Sequence, residues 1–333
     1  MRRIFIFFTA LLTALTLAAC SGSDDSPSPE GDSTEKNSPG EVEKEADPLT
    51  LKIMSFNILE GVKSGEKEGF EWNTSGRKEN VLKMIEAESP DIICLQECRR
   101  AQLNDLKSAF SEYTYLSYAK DGVLASGYSK GSATDDACFK NGGQRNVIML
   151  RKNILSSESW GVFWLSETPD EVSKGFGTDG QKITLWSKVK IKATGKNFYV
   201  FCTHFIPQSY GNKVDPVVDV LTPCAELNAA RIKEIIGDKT TSGKSKAEDT
   251  LFFMGDLNCE DGSEMLSAIS SYLEYARTKA KDSDDRGTYT SSGKRIDHIY
   301  YLNAEPLKFR VIDDSPYGLL SDHHPIWCEF QVK

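Results

Sequence analysis

The sequence Thr250-Leu251-Phe252-Phe253-Met254-Gly255-Asp256-Leu257-Asn258 is a short apolar run that ends abruptly in polar residues. Its apolar residues occur at both odd and even positions, so a strand formed here would be covered on both of its faces. The run is too short for a typical helix and is rich in aromatic residues. It therefore predicts a buried strand followed by polar residues able to bind a metal or a phosphate.

Six further apolar runs have the composition of strands, because Ile, Val, Phe and Tyr dominate them. They are Leu51–Leu59, Asp91–Leu95, Asn146–Leu150, Phe198–Thr203, Ile296–Leu302 and Ile326–Val332. Between them, Lys78–Ala87 and Leu227–Ile236 repeat apolar residues at helical spacing. Interleaved strands and helices without strict β-α-β regularity predict two sheets packed together with helices outside.

Nearly every predicted strand has at its end, or at its start, a polar residue that can bind a metal or a phosphate. These motifs are Ser55-Phe56-Asn57, Gln96-Glu97, Thr203-His204, Gly255-Asp256-Leu257-Asn258, Arg295-Ile296-Asp297-His298 and Ser321-Asp322-His323-His324-Pro325. The chain has four histidines, and all four lie in these motifs. Histidines that were merely solvated would also occur in the polar loops, so this concentration indicates one shared site.

The six motifs, in this order, resemble those of the endonuclease/exonuclease/phosphatase superfamily over about residues 50–330. The resemblance implies an α/β (α+β) fold, a four-layer αββα sandwich in which two mixed sheets pack face to face with helices outside. It also implies a metal-dependent phosphoesterase. His204 is similar to the histidine of the deoxyribonuclease, sphingomyelinase and deadenylase branches. The tryptophan that apurinic endonucleases place before the Asp297 position is absent here, as is the Trp-Thr/Cys-Asp-Arg motif of inositol polyphosphate phosphatases.

Three residues are expected to bind the metal. Glu97 is a hard anionic oxygen donor, the amide oxygen of Asn57 is a suitable neighbour, and by resemblance Asp322 is the second metal-side carboxylate. Such ligands favour Mg²⁺, with Mn²⁺ as an alternative, over zinc. Each residue also has a structural interpretation: Glu97 could simply end a strand, and Asn57 could bond the backbone.

By resemblance, the remaining motif residues are catalytic. Asp256 orients and deprotonates the attacking water, and Asn258 hydrogen-bonds the phosphate or Asp256. Asp297 holds His323 in its tautomer and orientation, while His204 places a proton donor near an oxygen of the substrate. The alternative for Asp256 and Asn258 is an Asx-rich turn.

Two histidines are assigned to structure rather than chemistry. His298 follows Asp297 on a strand and so points to the opposite face. His324 adjoins His323, which takes the family position. Four aromatic residues, Phe163, Trp164, Phe176 and Trp186, could wall a substrate cleft or pack beneath a loop. Lys182 stands where relatives are expected to carry an arginine, so a bidentate phosphate clamp is in doubt there.

Residues 1–19 have the pattern of a bacterial lipoprotein signal peptide. Arg2 and Arg3 precede an apolar stretch, Ile4 to Leu17, that is short for a membrane span. The sequence then reads Leu17-Ala18-Ala19-Cys20, which resembles a lipobox and implies lipidation of Cys20. An ordinary signal peptide is the alternative. The resulting prediction is a protein anchored by lipid to the bacterial envelope, at the outer membrane or the cell surface.

Residues 20–49 are predicted to be the lipidated cysteine and a disordered acidic tether. Residues 21–49 contain nine acidic residues against two lysines and have no aromatic side chain. Ser21–Asp25 is similar to export signals of Bacteroidetes surface lipoproteins, with plain linker acidity as the alternative. Residues 50–333 are expected to form a single metal-dependent phosphoesterase domain. Cys138 and Cys224, interpreted as loop residues, are the candidate disulfide pair.

The substrate is expected to be a phosphate ester: a nucleotide, a nucleic acid, a sugar phosphate or a lipid head group. Residues 50–333 carry a formal charge of −4, which argues against a protein that holds long nucleic acid along its whole surface. A non-specific extracellular endonuclease or exonuclease remains the alternative enzyme, and a non-catalytic binding lipoprotein is the alternative outside enzymes. The protein is expected to be a monomer.

Overall fold

Two six-stranded sheets, packed face to face, make up the centre of the protein. The computed structural model describes residues 49–61, 67–122, 143–238 and 249–332. In chain order the strands of these residues are β1 Leu49–Asn57, β2 Ile92–Cys98, β3 Tyr113–Ala119, β4 Arg145–Arg151, β5 Leu155–Trp164, β6 Ile183–Ile191, β7 Asn197–His204, β8 Thr250–Asp256, β9 Glu274–Tyr275, β10 Asp297–Leu302, β11 Glu305–Val311 and β12 Ile326–Val332. The helices are α1 Arg77–Glu88, α2 Arg100–Ala109, α3 Gln208–Gly211, α4 Leu221–Ile236, α5 Ser267–Ser270 and α6 Ala276–Lys279.

Both sheets are mixed. The first has the order β11-β12-β1-β2-β4-β3 and the second the order β5-β6-β7-β8-β10-β9. Each contains a parallel pair near its centre, β1 with β2 and β7 with β8, and its other pairs are antiparallel. The parallel pairs matter for function because the carboxyl ends of both strands in such a pair meet at one edge of the sheet.

The central strands of each sheet are covered on both faces, as β8 illustrates. Phe252 and Met254 belong to the core cluster between the two sheets. Leu251 and Phe253, of the other parity, pack in a second cluster with residues of α4. On the outer face of the first sheet, α1 and α2 pack over a third cluster of buried residues, which includes Val81. Helix, sheet, sheet and helix therefore form four layers, which confirms the predicted αββα sandwich.

Several strands escaped prediction because their sequences are polar or alternate in polarity. Strand β5 begins Leu155-Ser156-Ser157-Glu158-Ser159, and half of β6 consists of alternating lysines and apolar residues. Phe163 and Trp164 are the buried end of β5. Phe176 and Trp186 pack against the cluster beside α4. Phe163 and Trp164 are therefore buried, whereas Phe176 and Trp186 are half-buried against this cluster.

Helix α4 begins six residues before the predicted start at Leu227, and this corrects the interpretation of Cys224. The side chain of Asp219 accepts hydrogen bonds from the N–H groups of Leu221 and Thr222, which starts the helix. Pro223 is tolerated because it lies in the first turn. Cys224 is therefore a buried helical residue with a free thiol, not a loop residue. Burial raises the pKa of its thiol to about 12. Cys138 lies outside the described residues.

Residues 46–333 form one compact unit. The predicted signal peptide, Cys20 and the acidic tether lie outside the described residues. Among the helices that are described, none combines the length and the apolar character needed to cross a membrane.

Gly255 is required because β7 and β8 approach each other closely at this position, one residue before His204 and Asp256. A Cβ at this position would lie 1.9 Å from the backbone oxygen of Thr203. We expect Gly255→Ala to reduce the free energy of unfolding by about 3 kcal/mol, because the clash is with backbone and not with a flexible side chain. Chemical denaturation would measure the change. Gly195→Ala is the control, since its positive φ is strained but its Cβ meets no atom within 4 Å; equal losses for the two variants would contradict the expectation.

Candidate active site

Five strand termini bring the polar residues to one edge of the sandwich. Asn57 ends β1, His204 ends β7 and Asp256 ends β8. In the second sheet Asp256 is paired in register with His204 on one side and with Asp297 on the other. Because β12 is antiparallel to β1, the segment that precedes β12 lies at the edge where β1 ends. Ser321 is fixed there by a 2.8 Å hydrogen bond from its hydroxyl group to the backbone oxygen of Asn57.

Asp256 lies at the centre of this cluster and is buried. Its Oδ2 accepts a 3.0 Å hydrogen bond from Nδ2 of Asn57 and lies 3.3 Å from Nε2 of His204 and 3.8 Å from Nε2 of His323. Its Oδ1 accepts a 2.9 Å hydrogen bond from the backbone N–H of Asn258. Four elements thus converge on one carboxyl group.

Burial raises the pKa of Asp256 to about 6, an effect that the nearby carboxylate of Asp297 reinforces. The positive charge of His323 and the hydrogen bonds from Asn258 and Asn57 oppose the rise. A carboxylate with a pKa just below neutrality is a suitable general base, because it is largely ionised yet still accepts a proton readily.

His323 is paired with Asp297. Nδ1 of His323 lies 2.9 Å from Oδ2 of Asp297, so Nε2 is directed toward Asp256. Burial alone would lower the pKa of His323, but the charges of Asp297 and Asp256 and the hydrogen bond to Asp297 raise it to about 10. The imidazole is therefore held as a cation between two carboxylates.

His204 has the opposite character. Burial, together with the positive charges of Lys182, Lys120 and His323, lowers its pKa well below the usual value. Nζ of Lys182 is 3.0 Å from both ring nitrogens of His204. The tautomer consistent with these contacts has Nε2–H facing Asp256 and Nδ1 accepting from Lys182. His204 is thus a neutral histidine that donates toward the central carboxylate.

Glu97 occupies a bulge at the end of β2, where the register with β4 shifts between Leu95 and Cys98. Its φ of 62° is in the left-handed region, an uncommon conformation for a residue other than glycine and one that clusters at functional sites. The bulge directs Oε1 of Glu97 to 3.7 Å from Nζ of Lys182 and 4.0 Å from Nε2 of His204.

Gln102, which no sequence motif indicated, joins the loops that follow β1 and β2. Its Oε1 accepts from the N–H groups of Gly61 and Arg99, at 3.0 Å in both cases, and its Nε2 donates to the backbone oxygen of Leu59. Arg99 in turn pairs with Glu60 across the same gap. These contacts hold the residues following Asn57 against those following Glu97, and their partners are about forty residues apart in sequence, which is why pattern analysis missed them.

The remaining predicted residues lie around this centre. Oδ2 of Asp322 is 3.5 Å from Nζ of Lys67, and its backbone oxygen accepts from the hydroxyl group of Thr290. The backbone N–H of Asn258 contacts Asp256, whereas its side-chain amide donates to the backbone oxygen of Phe205.

The other two histidines make hydrogen bonds outside the cluster around Asp256. Nε2 of His298 lies 2.8 Å from the backbone oxygen of Cys259, in a fully buried position. The backbone N–H of His324 bonds the backbone oxygen of Thr288.

The site has the donor set of a divalent cation. Asp256, Asp297 and His323 offer ligand atoms that all lie within 4.8 Å of one another. In the described part of the chain, Oδ1 of Asp297 is buried without a hydrogen-bond partner. This group of three contains neither Glu97 nor Asp322, so two neighbouring positions could each hold a metal: the buried group itself, and the region between Asn57 and Glu97.

The chain belongs to the endonuclease/exonuclease/phosphatase family, whose family model matches residues 54–323. Members of this family are hydrolases that act on phosphoester bonds. The matched residues include all eight side chains that the sequence singled out for catalysis or metal binding.

The chain is also similar to several individual proteins. An uncharacterised protein of Acanthamoeba polyphaga mimivirus is 29% identical over 163 residues, 46% of this chain and 54% of the viral protein, so the match spans about half of that relative. An endonuclease/exonuclease/phosphatase from Bacteroides vulgatus superposes with a TM-score of 0.67 and 23% identity, covering 86% of this chain and all of that one. A mannosyl-6-phosphatase from Bacteroides thetaiotaomicron gives a TM-score of 0.66 and 23% identity, covering 84% of this chain and 99% of the other.

Proposed function

We propose that this protein is a magnesium-dependent phosphoesterase that is tethered by a lipid on Cys20 to a bacterial envelope and hydrolyses phosphate esters outside the cytoplasm. One observation carries the proposal. The buried carboxyl group of Asp256 is surrounded by Asn57, His204 and His323 and has a pKa of about 6. A general base of this kind is what hydrolysis of a phosphate ester by water requires.

Each side chain then has a part in the reaction. Asp256 accepts the proton of the attacking water and, through its contacts with Asn57 and His204, is fixed in one orientation. His323, held by Asp297, presents a positively charged N–H to the phosphoryl oxygens, where negative charge increases in the transition state. The neutral His204 keeps its N–H directed at the reacting region.

Asn57, Glu97 and Asp322 would hold the metal. Their donors are hard oxygens, which favour Mg²⁺, with Mn²⁺ as the alternative, over softer metals. A bound divalent ion would polarise a phosphoryl oxygen and neutralise charge on the leaving side.

The location follows from the N-terminal sequence rather than from the folded domain. The Leu17–Cys20 motif and the acidic residues 21–49 support a lipid anchor and a tether. An enzyme held there meets esters outside the cytoplasm, so scavenging of phosphate, nucleotides or sugar phosphates suits the position. The fold shared with a mannosyl-6-phosphatase supports a small sugar phosphate as the first substrate to test.

A non-specific nuclease is the second candidate because the same catalytic residues cleave phosphodiesters. The formal charge of −4 of residues 50–333 disfavours it, since binding of a polymeric nucleic acid depends on many lysine and arginine contacts with phosphates. A binding lipoprotein without activity is disfavoured because every catalytic motif residue is present.

The test is hydrolysis by the full-length protein in detergent, with and without magnesium. The panel contains nitrophenyl phosphate, bis-nitrophenyl phosphate, mannose 6-phosphate, plasmid DNA and RNA. We expect magnesium-dependent release of phosphate from small esters with the plasmid intact. Cleavage of the plasmid or of RNA would favour the nuclease, and inactivity on the whole panel would contradict the proposal.

The pH dependence should follow the ionisation of Asp256. Because its pKa is raised to about 6, the carboxylate is lost as the pH falls through that value. Below it, kcat/KM should fall about tenfold per pH unit, whereas an ordinary aspartate would give this fall only near pH 4. His323 remains protonated up to about pH 10, so its ionisation does not contribute to the fall of kcat/KM at acidic pH. The profile is measured with bis-nitrophenyl phosphate, because a diester keeps one charge over this range whereas a monoester has a second pKa of about 6 of its own. A magnesium-saturated profile that is flat between about pH 5 and about pH 7 would contradict the assignment of Asp256 as the base.

A further inference from the structure

Lysines are concentrated at the edge of the sandwich that lies opposite the candidate active site. Residues 183–200, which contain β6 and the first half of β7, include four lysines and no acidic residue. The turn between these two strands lies at the far edge, because β7 ends at the site in His204. At about 3.3 Å per residue, the length of β7 places the turn roughly 25 Å from the site. Together with a fifth lysine before β5, these residues form the lysine cluster: Lys152, Lys188, Lys190, Lys192 and Lys196.

Two turns at this edge combine into one surface. The turn after β6 packs beside the turn after β4, since the backbone N–H of Lys192 donates a 2.9 Å hydrogen bond to the backbone oxygen of Ile154. The ammonium group of Lys192 also donates to the backbone oxygen of Lys152. Lys188 and Lys190 extend the surface along the more exposed side of β6.

The cluster carries positive charge that carboxylates do not neutralise. Three of its lysines are exposed and the other two are half-buried. In the part of the chain that the structure describes, the lysines that form salt bridges all lie elsewhere. The stretches 152–164 and 183–200 contain Glu158 as their single acidic residue. One end of a protein with a formal charge of −9 is therefore locally positive.

The chain enters the folded domain at the same edge. Strand β1 begins at Leu49 and ends at Asn57 in the candidate site, so Leu49 lies at the edge opposite the site. Leu49 packs against the core between the sheets, which includes Ile191 and Phe198 on either side of the turn after β6. The tether predicted for residues 20–49 thus joins the domain on the side that carries the lysine cluster.

We propose that the lysine cluster is a membrane-contact surface that binds the phosphates of anionic lipids and directs the candidate active site away from the membrane. The lipid contact is independent of the proposed function, whereas its consequence for the substrate rests on the proposed anchor and phosphoesterase activity.

Local charge, rather than the net charge of the chain, decides such a contact. At physiological ionic strength charges are screened beyond about 8 Å, so a negative protein can still bind an anionic surface through one positive face. Clusters of four or more basic residues are typical of this kind of lipid contact. Lysine is a point charge with rotatable donors, which suits a fluid array of head groups better than one fixed ligand.

The orientation also narrows the substrate. With the lysine cluster on the membrane, Asp256 and its neighbours lie roughly 25 Å from the head groups, at the ends of strands that point into solvent. A lipid head group of the same membrane is then out of reach. The substrate in this arrangement is a water-soluble phosphate ester.

The experiment measures binding to lipid vesicles by residues 46–333, the compact unit, because the apolar residues 4–17 would bind lipid by themselves. The cluster variant combines Lys190→Gln, Lys192→Gln and Lys196→Gln. The matched control removes the same charge from helices α1 and α2 of the other sheet, through Lys78→Gln, Lys83→Gln and Lys107→Gln. The vesicles contain either phosphatidylcholine alone or phosphatidylcholine and phosphatidylglycerol in equal parts. Thermal unfolding verifies that each variant folds.

We expect the wild-type unit to bind the anionic vesicles at low salt and not the neutral ones. The partition coefficient should fall about tenfold or more in the cluster variant and less than about twofold in the control. Raising the salt to about 0.5 M should abolish binding. Equal losses in the two variants, or equal binding to neutral vesicles, would overturn the proposal. Binding of soluble polyphosphate without binding to vesicles would assign the cluster to a soluble polyanion and overturn it as well.

Orientation is measured with fluorophores attached to Ala193→Cys, in the turn after β6, and to Ser291→Cys, an exposed position beside Thr290, which bonds the backbone of Asp322. Both proteins also carry Cys138→Ser, and the free cysteines of the described residues are buried. Lipids with a quencher on the head group should quench the first fluorophore and not the second. Quenching of the second alone, or of both equally, would overturn the orientation.

Hydrolysis of nitrophenyl phosphate separates this proposal from the proposed function. The cluster variant should hydrolyse this ester at the wild-type rate, because the cluster is remote from the strand ends. Absence of hydrolysis by the wild-type protein would count against the phosphoesterase, while the vesicle measurement would still decide the membrane surface. Loss of hydrolysis in the folded cluster variant alone would show that these lysines serve the active site, contrary to the proposal.

Discussion

Asp256→Asn is expected to reduce kcat by about three orders of magnitude with little change in KM. The substitution keeps the shape of the side chain and the hydrogen bond from the backbone N–H of Asn258. It removes the acceptor of the proton, because an amide does not take a proton from water near neutral pH. An effect on kcat alone is expected because Asp256 acts in the transition state and is not required to hold the substrate.

The matched control is Asp170→Asn, which removes an exposed carboxylate whose side chain pairs with Arg231 and not with a residue of the candidate site. This variant should retain wild-type kcat and KM. Both variants should unfold at temperatures close to that of the wild type, and initial rates at saturating magnesium would be compared. Retention of more than about a tenth of the wild-type kcat in Asp256→Asn would mean that the base is another residue.

Much of the fold was predictable from local sequence because the two-sided burial of the central strands is visible there. The runs around β1, β2, β7, β8 and β12 are apolar on both parities, and each occurs within a few residues of its predicted place. The missed strands lie toward the edges of the two sheets. Strand β5 is rich in serine, and β6 alternates lysines with apolar residues, since part of each is exposed. Their pairing with neighbours, which local patterns do not record, makes them strands.

The features of the candidate site also divide into those that the sequence predicts and those that only the fold reveals. Residues at strand ends, such as Asp256 and His204, were identifiable because each follows an apolar run. Their environment was not, since the burial that raises the pKa of Asp256 and keeps His204 neutral comes from elements distant in sequence. Gln102 belongs to this second kind, because only the fold brings it to the loops that follow β1 and β2. Lys182 was noticed only as a departure from an expected arginine.

Glu97→Gln should weaken magnesium binding about 100-fold or more and lower activity in proportion. Glutamine keeps an oxygen donor and the side-chain length but loses the negative charge that draws a divalent ion. The left-handed backbone of the bulge is compatible with either residue, so the fold should persist. Glu158→Gln, an exposed position on β5, is the matched control and should bind magnesium as the wild type does.

Calorimetric titration with magnesium, which needs no substrate, separates the two places where a metal could lie. If the metal lies between Asn57 and Glu97, Glu97→Gln loses most of its affinity and Asp297→Asn loses little, because Asp297 then serves only to orient His323 through their 2.9 Å contact. If the buried group of Asp256, Asp297 and His323 holds the metal, Asp297→Asn loses most of its magnesium affinity and Glu97→Gln loses little. In that case the protonated state of His323 would have to be given up on binding, and the titration would release a proton. Magnesium binding by Glu97→Gln at wild-type affinity, accompanied by such a release, would therefore refute Glu97 as the principal ligand and move the metal to the histidine side of the site.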